Sequence, residues 1–268
     1  MQLAVLGGGR MGEALVAGLL EAGFAADTIT VVEISAPRRA ELTGLISGVR
    51  IVADAASAVA GAEVVVAAVK PKLVAETLTS AADSLGPDTL VISIAAGVRI
   101  ATLEAAAPGR PVVRAMPNTP ALIGLAATAI SGGSHATEEH LGRAETVLRA
   151  LGLVVRVPED QLDAVTGLSG SGPAYVFLLA EAMIAAGVRA GLPADVADAL
   201  VRQTLLGAST LLVAGEDPKQ LRAQVTSPGG VTEAAIAVLT EKDFAALIAE
   251  TIAVAEARSA EMGSDPAS

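Results

Sequence analysis

The run Gly7-Gly8-Gly9-Arg10-Met11-Gly12 is the first place in the chain where residue types and spacing could do chemistry. Glycine permits a tight turn and lets backbone N–H groups approach a ligand closely. An apolar strand precedes the run and an Ala/Leu-rich helix follows it. That is the setting in which Gly-x-Gly-x-x-Gly holds the pyrophosphate of a dinucleotide at a helix N-terminus. All six residues of the run, Gly7, Gly8, Gly9, Arg10, Met11 and Gly12, are therefore expected at a nicotinamide dinucleotide, NADPH or NADH.

Glu33 closes the second strand about twenty residues further on, where a carboxylate can accept hydrogen bonds from ribose hydroxyls and repel a 2′-phosphate. That favours NADH. Arg38 and Arg39 follow, and two guanidiniums there either embrace such a phosphate or are solvated charges in the first turn of a helix. The pattern leaves the choice of cofactor open. Ala68, Val69, Lys70 and Pro71 end the fourth strand, and Ser93-Ile94-Ala95-Ala96-Gly97 the fifth. In an open α/β sheet the carboxyl ends of strands line the ligand crevice. Lys70 either reaches the nicotinamide ribose or is an ordinary surface lysine. The small residues Ala95 and Ala96 either let a flat ring lie against backbone or serve close packing.

Two later segments are unusually rich in small, turn-forming residues: Leu168-Ser169-Gly170-Ser171-Gly172-Pro173 and Thr226-Ser227-Pro228-Gly229-Gly230-Val231-Thr232. Each precedes a helix, so each either caps that helix or offers unpaired N–H groups to a carboxylate. Oxidising an alcohol would require a general base. The helix expected at 173–190 carries only Glu181 and Arg189 as charged residues, and His135 and His140 flank a helix start in the first domain, where both are expected to be solvated. A cyclic imine asks less. It can bind already protonated, accept hydride at carbon and need one hydrogen-bonding group at nitrogen, a part Thr232 could take.

The elements that must position these residues follow from the rest of the chain. Its 268 residues, 52% hydrophobic, suffice for two modest domains. Eight short β-rich runs, at 3–6, 29–33, 49–52, 64–69, 90–94, 112–114, 127–131 and 153–157, alternate with Ala-rich helical stretches. This predicts a doubly wound α/β domain of Rossmann type with a parallel sheet over 1–158. The helix expected from about 137 to 151 stops at Gly152, which suits a left-handed cap. Beyond Pro158 the strand signal ends, and 159–268 is expected to be all helix, with helices opening at Pro173, Pro193, Pro218, Thr232 and Phe244 and with Asp217 and Asp243 as N-caps. The helix after Pro173 is apolar nearly all round and must be buried on every side. A second subunit is the expected source of the cover. The tail 263–268 is expected to be disordered.

Composition excludes other classes. A net charge of −11 repels nucleic acid. The absence of cysteine removes disulfides, thiolate zinc sites and thiol nucleophiles, and two isolated histidines leave no expected metal site. No leader pattern and no apolar run of about 18–20 residues is evident, so no membrane is expected and the cytoplasm is the expected location.

The motifs quoted above, with Arg114-Ala115-Met116-Pro117-Asn118-Thr119-Pro120 and the run from Asp163 to Tyr175, resemble pyrroline-5-carboxylate reductases in order and spacing. The resemblance extends from the first strand to about Met262. It implies hydride transfer from NAD(P)H to the C=N carbon of 1-pyrroline-5-carboxylate, giving L-proline, by homodimers that interlock through their helical domains and can form larger rings. By position it gives Ser227, Gly230 and Val231 the substrate carboxylate and Thr232 the ring nitrogen. It also places Ala96 beside the substrate, and Gly7 to Met11 with Ala68 to Pro71 at the cofactor. The chain departs from NADPH-preferring relatives, which commonly have small polar or basic residues near Glu33 and Ser35, and from many relatives at Val231, often Ala. A β-hydroxyacid dehydrogenase of similar layout would carry a catalytic Lys on the long helix, which is missing here. A dinucleotide-binding redox sensor would have no need of the 226–232 segment.

Overall fold

The structure is a computed structural model that describes residues 1–264. Two compact units arise from the chain: Met1–Ser171 together with the chain end from Ala253, and Gly172–Ile252.

The first unit is built on eight strands, β1 (Leu3–Leu6), β2 (Ile29–Val32), β3 (Arg50–Val52), β4 (Val64–Ala67), β5 (Leu90–Ser93), β6 (Val112–Met116), β7 (Ala126–Gly132) and β8 (Gly152–Arg156). All eight expected strands form, in the order β3-β2-β1-β4-β5-β6-β7-β8. Every pair is parallel except β6 and β7, which run antiparallel. The expected doubly wound parallel sheet thus forms, with one antiparallel pair that the sequence did not signal. The link between β6 and β7 holds only a 3-10 turn, Thr119–Ile123, too short for the crossover that a parallel return needs.

Side chains alternate between two cores. Leu3, Val5, Ile29, Val31, Val64, Val66 and Ile92 pack on one face, and Ala4, Leu6, Val32, Val65, Ala67 and Val91 on the other. Helices α1 (Arg10–Glu21), α2 (Ala36–Leu45), α3 (Ala55–Val59), α4 (Pro71–Ala81), α5 (Ile100–Ala106) and α6 (Glu138–Leu148) supply the covering residues, among them Leu15 and Leu19 of α1 and Val74 and Leu78 of α4. Burial on both faces explains why these strands read as continuous apolar runs. Helix α6 gives way to a 3-10 turn at Arg149, and Gly152 has φ +139 and ψ −142 rather than a left-handed cap conformation. A Cβ there would lie 2.4 Å from the Ala126 carbonyl oxygen, so glycine is needed for the approach of β8 to β7.

Beyond β8 come α7 (Leu162–Val165), a π-turn over Thr166–Gly170, α8 (Gly172–Arg189), α9 (Ala194–Val213), α10 (Pro218–Gln224), α11 (Val231–Glu241) and α12 (Phe244–Ser264). The expected helix starts agree within a residue. Asp217 caps α10 by accepting from the N–H groups of Lys219 and Gln220, and Asp243 accepts from that of Ala246 at 3.3 Å. Gly263 and Ser264 continue α12 instead of beginning a disordered tail, and residues 265–268 lie outside the described residues.

In the helical unit α8 packs along α9, where Gly187 lets the backbone come close: a Cβ on it would sit 3.2 Å from that of Ala197. Among the described residues none of this helix is fully buried, and Phe177, Leu178 and Leu179 are exposed. Two helical stretches, Glu159–Arg189 and Ala194–Val213, are long and apolar enough to cross a bilayer by length and composition. The sequence reading expected none. A few polar residues broke the apolar run without lowering the mean hydropathy of the helix below that of a membrane span.

Candidate functional site: a dinucleotide cleft and a substrate-type turn

The strand order reverses between β1 and β4, so the carboxyl ends of these two strands open a crevice between their crossover helices. Gly7 leaves β1 with φ +113, and its N–H donates to the Val32 carbonyl at 2.9 Å. A Cβ on Gly7 would lie 2.7 Å from the Ala68 oxygen, and one on Gly12 only 2.0 Å from the Gly7 oxygen. The fold itself requires glycine at these two positions. Gly9 differs. It is the N-cap of α1 with no side-chain capping bond, and a Cβ there would meet no atom within 4 Å. Nothing in the protein demands glycine at Gly9, whereas a ligand seated on the turn would. The N–H groups of Arg10, Met11 and Gly12 have no hydrogen-bond partner among the described residues, as at any open helix N-terminus. The cradle thus fits a pyrophosphate.

The cleft above this turn has a volume of about 680 Å³, within the size range of cofactor sites. It gathers Gly7, Gly9, Glu33, Ala68, Val69 and Lys70 of the expected residues. Gly8 and Gly12 are buried beneath it, Pro71 opens α4, and Arg10 and Met11 begin α1. Sequence reasoning missed Ile34, Asp54, Ala55, Leu73 and Thr77, which also line the cleft. Asp54 had a visible signal, since it follows the carboxyl end of β3 and caps α3. Its carboxyl group, accepting from the Ser57 N–H at 2.8 Å, is held below the ordinary carboxylate range by that bond.

Glu33 is half-buried at the end of β2. One carboxylate oxygen accepts from the Gly8 N–H at 3.2 Å and the other from the Ser35 N–H at 2.8 Å. Arg38 donates from Nε to the Gly8 carbonyl at 2.8 Å and pairs with Glu41 at 2.7 Å and with Glu13. Donating to the Glu41 and Glu13 carboxylates raises its pKa. Arg39 donates to the carbonyls of Glu33 and Ile34, each at 2.8 Å. Neither arginine matches the alternative of a freely solvated charge.

Ala95 is buried and Ala96 half-buried after β5, where the Ser93 hydroxyl accepts from the Ala95 N–H at 3.4 Å. Gly97 turns with φ +77, and a Cβ there would face the Met262 side chain at 3.6 Å. The neighbouring residues are held by a charged cluster. Arg114, 2% exposed on β6, reaches Glu159 at 3.3 Å and Asp163 at 3.5 Å. Asp163 also takes Arg99 at 3.4 Å and the Ser259 hydroxyl at 2.8 Å, while Glu159 accepts the Ile100 N–H at 2.7 Å. Asn118 bridges the Ser169 carbonyl and the Ala127 N–H, both at 3.0 Å. The Arg114-to-Pro120 motif therefore ties strands, π-turn and last helix together.

The two small-residue segments part company. Residues 168–173, read either as a cap or as a turn with open N–H groups, are mostly helical: the Ser171 N–H is bonded to the Thr166 carbonyl at 2.8 Å, and Gly170 faces the Met116 Cε closely. Gly170 here serves packing, and the Ser171 N–H is engaged within the turn. The 226–232 segment does form a turn. Gly229 has φ +69 and donates to Glu233 at 2.8 Å, Gly230 N-caps α11, and a Cβ on Gly230 would lie 2.6 Å from the Ser227 hydroxyl. Val231 is 89% exposed, and the Thr232 hydroxyl has no hydrogen-bond partner among the described residues.

A family profile described as pyrroline-5-carboxylate reductase dimerisation matches residues 159–262, so the 226–232 turn falls inside it. The pyrroline-5-carboxylate reductase of Synechocystis sp. is 42% identical over 98% of this chain and 98% of its own length. The chain belongs to the pyrroline-5-carboxylate reductase family. A second profile, NADP oxidoreductase coenzyme F420-dependent, matches residues 2–97, the segment that builds the cleft. Two solved members of the family agree in fold. The pyrroline-5-carboxylate reductase of Coxiella burnetii superposes with TM-score 0.94 at 35% identity, covering 98% of this chain and 99% of its own. The Plasmodium falciparum pyrroline carboxylate reductase with NADP bound gives 0.85 at 27%, covering 98% of each chain.

Proposed function

We propose that this chain reduces 1-pyrroline-5-carboxylate to L-proline, the last step of proline synthesis, with NADPH or NADH as hydride donor. The observation that carries this reading is the presence, in one chain and in the family's order, of a glycine-lined dinucleotide cleft and a Ser-Pro-Gly-Gly-Val-Thr turn. Gly7, Gly8, Gly9, Arg10, Met11 and Gly12 hold the pyrophosphate side of the cofactor, with Glu33, Ala68, Val69, Lys70, Pro71 and Ala95 along the rest. When bound, the reduced nicotinamide supplies a hydride. Ser227, Gly230 and Val231 take the substrate carboxylate, Ala96 flanks the ring, and the Thr232 hydroxyl hydrogen-bonds the ring nitrogen. The substrate needs no catalytic base, because an imine that arrives protonated at nitrogen becomes the neutral secondary amine once its carbon receives hydride.

The division of labour runs 1–158 for dinucleotide binding and 159–268 for substrate binding and dimerisation. A homodimer through the helical part, able to assemble into larger rings, covers the apolar surface that α8 exposes, and the cytoplasm is the compartment of the reaction. The test is a spectrophotometric assay. Loss of NAD(P)H absorbance on adding pyrroline-5-carboxylate, with proline as product, supports the reading, and tight cofactor binding without turnover would turn it towards a redox sensor. Thr232→Ala lowers kcat by about ten- to a hundred-fold, at or below the low end of what a proton-transferring group contributes, because the hydroxyl holds the ring nitrogen without moving a proton. An unchanged kcat in a folded variant removes Thr232 from the mechanism.

A further inference from the structure

We propose that Glu33 makes this chain select NADH over NADPH, an inference that rests on the reading of the cleft as a nicotinamide-dinucleotide site. A 2′-phosphate is held at the end of the second strand by backbone N–H groups, small hydroxyls or free guanidiniums. Here the N–H groups of Gly8 and Ser35 are both engaged by the Glu33 carboxylate, at 3.2 and 2.8 Å. The carboxylate takes the donors that a phosphate would need and adds a like charge.

The nearby cations do not offset it. Arg38 is engaged by Glu41, Glu13 and the Gly8 carbonyl, and Arg39 by two backbone carbonyls. Glu33 and Asp54 put two carboxylates on the cleft wall, and Arg38 nearby is paired with two more, Glu13 and Glu41. Glu33 also cannot be set aside cheaply. It sits against the turn, so that a Cβ on Gly8 would lie 3.0 Å from the Glu33 Cβ and 3.1 Å from its carboxylate oxygen, and rotating it away would give up both hydrogen bonds. Ribose hydroxyls, in contrast, donate to a carboxylate, and one that is already oriented suits them without rearrangement. The inference separates this chain from the NADP named for the matching profile and for the Plasmodium structure.

Calorimetric titration with NADH, NADPH, 5′-AMP and adenosine 2′,5′-bisphosphate tests the proposal without any turnover. The full chain is expected to bind NADH at least about tenfold more tightly than NADPH and to prefer 5′-AMP to the bisphosphate, as befits a fixed like charge at the phosphate position. Glu33→Gln keeps the shape and removes the charge, and Glu33→Ser frees the two N–H groups. The NADH:NADPH preference should fall about tenfold in the first and further in the second. Equal or tighter binding of NADPH by the unaltered chain overturns the proposal, and so does a preference unmoved in both folded variants. A chain that favours NADH but leaves pyrroline-5-carboxylate unreduced refutes the proposed activity and not this inference. Failure to bind either dinucleotide overturns both.

Discussion

The two compact units of this chain solve the problem of apolar surface in opposite ways. In the sheet unit every residue of β1, β4 and β5 is buried within the chain, Val5, Val66 and Ile92 among them. In the unit from Gly172 to Ile252 only Ala197 and Val201 are buried hydrophobics, while Phe177 is 60% and Leu178 65% exposed. Burying a side chain of this size stabilises by about 1.5–3 kcal/mol, so the first unit has a core of its own and the second forgoes most of that gain as a single chain. The dinucleotide cleft accordingly lies on a self-sufficient scaffold, and the 226–232 turn on elements that await cover.

That contrast can be broken most severely on α8. In an isolated chain Phe177→Glu is a surface change worth less than about 0.5 kcal/mol. On a face covered by another copy it buries an unpaired charge, which prevents association. Sedimentation is expected to show loss of assembly at micromolar concentration while NADH still binds. An unaltered oligomer would mean that α8 is not the interface.

Next in size is the charged cluster of the sheet unit. Arg114→Met leaves the buried Asp163 and the partly exposed Glu159 each short of a partner, a loss of about 3 kcal/mol, the low end for a broken buried pair because Asp163 keeps Arg99. The helical unit offers the control, since Arg202 meets Asp198 at 2.7 Å, closer than any of the Arg114 pairs, yet in solvent. Arg202→Met should cost less than about 0.5 kcal/mol despite the shorter distance, because water screens the pair and competes for it. Urea unfolding of both variants decides whether burial or distance sets the value.

The smallest effect on stability separates ligand from fold within the glycine turn. Gly9→Ala meets no protein atom and should leave Tm within about 2 °C, yet weaken dinucleotide binding more than about tenfold by filling the space that the ligand approaches. Gly12→Ala places a Cβ against the Gly7 oxygen and should lower Tm and binding together. If Gly9→Ala binds NADH normally, the ligand does not sit on that turn.

Much of this was legible in the residues. Strand runs such as Val64-Val65-Val66-Ala67 announce a doubly covered sheet because both faces must be apolar, and the glycine spacing with Glu33 announces the cleft. The segment 168–173 stayed open in the residues for a physical reason: glycine and serine are as compatible with tight packing as with a turn, and the Met116 contact at Gly170 with the Ser171 bond to Thr166 distinguishes the two. Ile34 and Thr77 line the cleft through position alone, with no residue-type signal.

By itself, the sequence determined what depends on local periodicity and backbone freedom: eight strands, the helix starts at Pro218 and Phe244, the glycine turn, and a long apolar helix that cannot stay in water. Only the tertiary structure decided what depends on residues far apart in the chain. It reversed β7 against β6, gathered Arg114, Asp163 and Ser259, and closed the Glu33 carboxylate on the N–H groups of Gly8 and Ser35. The last of these turned an open choice between an acid and two arginines into a direction, because hydrogen bonds and ion pairs already formed leave those groups few ways to answer a phosphate.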